Sequence, residues 1–130
     1  MPMPETTIHF FREGDTVPFK TWLEELARTN ANAHKKCLTY LQHLQREGHE
    51  LKRPTADFLR DGIYELRPTY QGVNYRILYG FAGQGLVVVS HGIIKERRVP
   101  RAEIDKAVTR LEKYKRDPKK HGYPEDLLDE

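Results

Sequence analysis

The sequence predicts an α+β protein, an antiparallel sheet with an N-terminal helical hairpin and a C-terminal helix in the order β-α-α-β-β-β-α. Three observations predict it. Apolar residues recur at helical spacing through residues 19–44 and again through 104–114, while the stretch 63–94 is rich in β-branched and aromatic residues. Gly and Pro punctuate the junctions between these regions. The chain, at 130 residues, is long enough for one hydrophobic core and too short for two.

The opening stretch TTIHFFRE is β-branched and aromatic and runs into Gly14 and Asp15, so it reads as a strand. Phe19, Trp22, Leu23, Leu26 and Ala27 then follow a helical period, with Pro18 at the first helical position. After a break at Asn30–Asn32, Ala33, Cys37, Leu38, Leu41 and Leu44 continue the pattern until Gly48, completing a helical hairpin. Residues 49–61 read as a loop whose Leu51, Phe58 and Leu59 tuck against the core. Strands are expected at 63–68, 73–81 and 86–94, joined by Gln71-Gly72 and Gly83-Gln84-Gly85, loops short enough for antiparallel neighbours. The sheet is expected to carry its helices on one side. Pro100 opens a last helix with Ile104, Ala107, Val108, Leu111 and Tyr114 as its buried stripe, and Pro118 ends it. Residues 1–117 thus form a single domain, and 118–130 an acidic, flexible tail.

Composition narrows the function. The longest apolar run is Leu86–Val89 and charges interrupt the first twenty residues, so neither a membrane span nor a secretory signal is expected, and the protein is placed in the cytoplasm. Cys37 is the single cysteine and sits in a helical apolar pattern, where a reduced core thiol is expected. The histidines show no metal-ligand spacing, and neither metal nor cofactor is expected. Net charge is +3, but residues 66–120 hold thirteen Lys/Arg against five acids, whereas residues 1–65 hold nine against ten. Such a basic half suits a phosphate-bearing or acidic partner.

Between residues 66 and 94 the formal charges are Arg67 and Arg76. A tight turn at Gln71-Gly72 sets these two directly opposite each other, with Glu65, Arg67, Asn74 and Arg76 on one face and Tyr64, Leu66, Tyr75, Ile77 and Tyr79 largely on the other. Facing like charges destabilise a ladder. Either Glu65 bridges the pair as an ion network, or both forked guanidiniums converge on a phosphate. A second cationic cluster follows the last strand, with His91, Lys95, Arg97, Arg98 and Arg101. Tyr64, Tyr70, Tyr75 and Tyr79 are aromatic enough to stack bases, although three of them fit the core-facing register.

The segments DGIYELR, VNYRILYGF and GLVVVSHGIIKERRVPRAEIDKAVTRLEKY, behind a helical hairpin, resemble the RelE/ParE superfamily of bacterial toxin–antitoxin toxins, most of all its HigB-type, phage-related branch. The likeness covers about residues 8–116. It implies either an endoribonuclease that cuts mRNA in the ribosomal A site, as RelE- and HigB-type members do, or a DNA gyrase inhibitor, as ParE-type members are. The ribonuclease pattern falls on Arg67, Arg76, Lys95 and Arg97, with Arg98 able to stand in for Arg97. Two departures stand out: Glu65 replaces the first lysine-rich strand pattern, and the C-terminal tyrosine or histidine has only Tyr114, His121 and Tyr123 as candidates. The implied partner is a cognate antitoxin, a small helix-turn-helix protein.

Metal-free RNA cleavage needs charge stabilisation on the attacked phosphate and a proton for the departing oxygen. Arginines suit the first task and not the second. The expected catalytic set is Arg67, Arg76 and Arg97 for charge, with Lys95 or His91 for protons. Arg98, Arg101, Lys106 and Arg110 are expected to extend the RNA contact. The expectation is therefore a ribosome-dependent mRNA endonuclease, with a gyrase inhibitor or an inert binding member as alternatives.

Overall fold

The computed structural model describes residues 5–95 and 97–124, with Lys95 described in its backbone only. Strand β1 (Thr7–Phe11) leads into helices α1 (Pro18–Thr29) and α2 (Ala31–Glu47) and a single 3-10 turn (Gly48–Glu50). Strands β2 (Ala56–Arg60), β3 (Ile63–Leu66), β4 (Thr69–Tyr70), β5 (Val73–Phe81) and β6 (Leu86–Lys95) follow, and then α3 (Arg101–Arg116), the short α4 (Pro118–His121) and β7 (Gly122–Pro124). The fold is the expected α+β arrangement. Among the described residues, the seven strands form one sheet in the order β2-β3-β5-β6-β1-β7, with β4 added to β5. No helix among the described residues is long and apolar enough to cross a membrane.

Local chemistry explains the helical hairpin. Pro18 starts α1, whose Phe19, Leu23 and Leu26 are buried. Asn30 ends α1 and starts α2, its side-chain oxygen accepting the Ala33 N–H at 3.1 Å. Gly48 closes α2 in the left-handed region (φ 51°) and donates its N–H to the Leu44 carbonyl. Cys37 is fully buried between these helices and the sheet, and burial pushes its thiol up to about 12. It is a core residue, as expected, and not a nucleophile.

Four features differ from the sequence expectation. β1 runs parallel to β6 (Ile8↔Val87, Phe10↔Val89), so the sheet is mixed. Helices cover both faces: Phe10, Leu66, Tyr75, Ile77, Tyr79 and Val89 pack on α1 and α2, whereas Phe11, Ile63, Leu78 and Val88 pack on α3. Runs such as Ile77-Leu78-Tyr79 and Val87-Val88-Val89 have apolar residues at both parities, which strands buried on both faces require. The expected loop at 49–61 contains β2, which pairs with β3 as an edge strand, and its Phe58 is 53% exposed instead of tucked in. Finally, the chain beyond 117 continues into packed structure: Gly122–Pro124 pairs with β1, and His121 is buried against Phe11. The remainder of the expected tail, 125–130, lies outside the described residues.

The hairpin register is the expected one. Tyr70↔Val73 and Thr69↔Asn74 flank a turn in which Gln71 (φ 50°) and Gly72 (φ 79°) are both left-handed, as a two-residue hairpin demands. Leu66↔Ile77 and Glu65↔Leu78 continue the same register into β3. Arg67 and Pro68 interrupt the ladder between β3 and β4, where the Arg67 N–H turns outward to the Thr55 carbonyl at 2.9 Å.

Gly92 in β6 gives the inner face a point of close approach. A Cβ there would lie 2.6 Å from the Trp22 indole, which stacks on Phe19 and meets Tyr75 edge-on. Gly92→Ala is expected to destabilise the protein by about 1–3 kcal/mol through overpacking, with a shift in Trp22 fluorescence. Denaturant titration followed by tryptophan emission measures both.

Candidate functional site

The β3–β5 register brings Arg67 and Arg76 to one face, as the sequence predicts. Between them lies Glu65. Its Oε2 accepts from Arg67 Nη1 at 2.5 Å, and its Oε1 lies 3.3 Å from Arg76 Nε. Both Glu65 and Arg76 are almost fully buried, at 3% and 4% exposure, while Arg67 is partly exposed. Arg76 Nη1 donates to its neighbour's carbonyl, Tyr75 O, at 2.7 Å. Its Nε–H and Glu65 Oε1 oppose each other as charges without a formed hydrogen bond. Burial, and then the adjacent Arg67 cation, lower the Arg76 guanidinium from its ordinary value, with Glu65 acting in the opposite direction. Of the two readings of the pair, the ion network through Glu65 is present.

The network forms one wall of a cleft of about 510 Å³, lined by Tyr40, Arg53, Pro54, Arg67, Thr69, Asn74 and Arg76. Arg53 enters from the loop ahead of β2 and is held by Asp57 at 2.9 Å. Tyr40 comes from α2, and Thr69 and Asn74 from the β4–β5 hairpin. Among the described residues, three guanidiniums stand against the carboxylates of Glu65 and Asp57. Sequence reasoning missed Tyr40, Arg53, Pro54 and Thr69. Only the pairing of β2 with β3 carries Arg53 to Arg67, and that pairing was invisible once 49–61 read as a loop.

The other expected residues separate into two groups. The backbone of Lys95 pairs with Asn74 of the cleft, and its side chain lies outside the described residues. Arg97, Arg98 and Arg101 are exposed where the chain leaves β6 and enters α3, and none of them lines the cleft. His91, by contrast, is packed away. A carboxylate can only accept, so His91 Nε2–H donates to Glu103 Oε1 (2.8 Å) and its Nδ1 accepts from the Ser90 hydroxyl (2.7 Å). With both ring nitrogens used, His91 is a strut between β6 and α3 and has no nitrogen left for a substrate's proton. Arg110, expected on RNA, lies over the Phe11 ring and points Nη1 at Ser90 O and Oγ, 3.4 Å from each. Lys106 is exposed and pairs loosely with Glu103 at 3.6 Å.

The C-terminal candidates also serve packing. Tyr114 OH meets His9 Nδ1 at 2.9 Å, His121 Nδ1 meets the Arg12 carbonyl at 2.9 Å, and Tyr123 sits on β7 opposite Phe10. Tyr75 and Tyr79 are buried in the core and Tyr64 stacks on Tyr79, so the tyrosines of β3 and β5 are structural here. Among the described residues, no cluster of His, Cys, Asp and Glu has the makings of a metal site.

Burial holds His91 below its ordinary value against the opposing hydrogen bond from Glu103. The unfolded chain, with an ordinary value near about 6.5, therefore takes up this proton more readily than the folded one. The stability linked to His91 is complete above that pH and is lost as the pH falls below it, levelling off once the folded form is protonated too. Melting temperatures measured from pH 8 to pH 5 are expected to fall in the wild type and to fall less steeply in His91→Gln.

Comparison with known proteins places the chain in a family. The model of the phage-derived Gp49-like proteins (DUF891) matches residues 24–112, from α1 to within α3, and the chain belongs to that family. A search of curated proteins found no match.

Proposed function

We propose that this chain is the toxin of a type II toxin–antitoxin pair and acts as a ribosome-dependent mRNA endonuclease. The Gp49-like family and the likeness to HigB-type toxins support the toxin assignment. The observation that carries the nuclease reading is the cleft itself, which Arg53, Arg67 and Arg76 line together. In this reading the substrate 2′-OH gives its proton to solvent as its oxygen bonds to the adjacent phosphorus, the bond from phosphorus to the 5′ oxygen breaks to leave a cyclic phosphate, and the departing 5′ oxygen takes a proton. Arg67 supplies donors to the developing charge, Arg76 and Glu65 fix its position, and Lys95 delivers the proton. Arg97, Arg98 and Arg101 extend the contact along the RNA backbone. The partner is a small helix-turn-helix antitoxin that covers the basic half.

Glu65 is the specific observation behind a second reading. A carboxylate that engages both guanidiniums lowers their appetite for phosphate, which suits a member that binds its partner without cutting RNA. Incubation with translating ribosomes and with DNA gyrase separates the readings. Discrete mRNA ends support the nuclease. Intact mRNA with inhibited supercoiling replaces it with gyrase inhibition, and no effect in either assay favours the binding protein.

A further inference from the structure

The cleft has a wall that phosphate chemistry leaves unexplained. Beside the guanidiniums, the Tyr40 ring, Pro54 and Asn74 line it, and the Asn74 amide oxygen accepts from the Thr69 hydroxyl at 3.4 Å. A bare phosphate needs none of these. We infer that the cleft is a one-nucleotide subsite, in which Arg67 and Arg53 hold the phosphate and Tyr40 and Pro54 pack against the nucleoside attached to it. This deepens the proposed function and rests on its reading of the cleft as a phosphate site.

Four features carry the assignment. The cleft, at about 510 Å³, falls within the roughly 300–1,000 Å³ of small-molecule sites. Arg67 spends Nη1 on Glu65 and remains partly exposed, and Arg53 is exposed although held by Asp57. Arg76 lines the same cleft almost fully buried, with an Nε–H that lacks a hydrogen bond, so the floor is cationic and fixed. An aromatic face beside a guanidinium is the combination that single-stranded nucleic acid uses, because every base has a face to stack and every nucleotide a phosphate. Glu65 is too enclosed to reach a substrate hydroxyl, which leaves it the role of a positioning residue.

Titration of the purified protein with inorganic phosphate and with 3′-AMP, followed by calorimetry and by tyrosine-selective NMR, tests the inference. The wild type is expected to bind 3′-AMP about tenfold more tightly than phosphate. Tyr40→Leu, which keeps apolar bulk without the aromatic face, is expected to remove that advantage while leaving phosphate binding unchanged. Arg53→Ala is expected to weaken both ligands about fivefold, and Arg46→Ala, in the separate cavity beside Gly48, to change neither. Equal affinity for the two ligands, a Tyr40→Leu variant that keeps the preference, or no saturable binding overturns the inference. Ribosomal cleavage without 3′-AMP binding overturns this subsite and spares the nuclease reading, whereas 3′-AMP binding without cleavage does the reverse.

Discussion

Glu65→Ala is expected to lower the unfolding free energy by about 3–5 kcal/mol, the range for breaking a buried ion pair by removing one partner. Glu65 is the carboxylate beside Arg76, which is too buried to recover its hydration once that carboxylate is gone. Arg67, partly exposed, can turn to solvent, so most of the loss belongs to Arg76. The same argument predicts a rescue. Replacing both members, Glu65→Ala with Arg76→Met, removes the stranded charge together with its partner and is expected to recover a large part of the loss, because swapping a whole buried pair for apolar groups is often close to neutral. Urea unfolding of the two single variants and the double variant measures this as a coupling energy. Additive losses would mean that the two groups do not share a network.

Arg67→Ala is expected to cut mRNA cleavage by about 10²–10³-fold, the usual cost of one preorganised donor to a developing oxyanion, while the fold survives. Of the two arginines, Arg67 is the one with solvent access, so its loss removes a donor without burying a void. Arg67→Lys keeps the charge but not the fork and is expected to recover only part of the rate. Arg76→Ala, in contrast, is expected to lose stability and activity together, since its head group is part of the packed interior.

The residues differ in how much of this was legible beforehand. The helices were readable because Pro18, Asn30, Gly48 and Pro100 mark their ends and the apolar period fills the interval. The register of the central hairpin followed from a two-residue turn, even though Gln71 must adopt a left-handed conformation that Asn takes more readily. β2 was hidden by its composition: Ala56 and Asp57 are poor strand formers, and Phe58 points a ring outward on an edge strand. With β2 went Arg53 and Pro54, two of the residues that line the cleft. His91 and Arg110 read as functional because the sequence shows their chemistry but not their partners. Ser90 and Glu103, which engage them, are brought together only when α3 folds back across β6. Glu65 was visible as a possible bridge, and it took the register and burial together to show that it meets both arginines.

The central claim is that Arg67, held beside Arg76 by Glu65, contacts the phosphate that is cut. Single-turnover mapping of mRNA ends on translating ribosomes, with wild-type protein and Arg67→Ala at matched folded concentrations, tests it most directly. The account predicts the same cut positions in both, at a rate at least about 100-fold lower in the variant. Cleavage by Arg67→Ala at the wild-type rate would contradict it and move the chemistry out of this cleft.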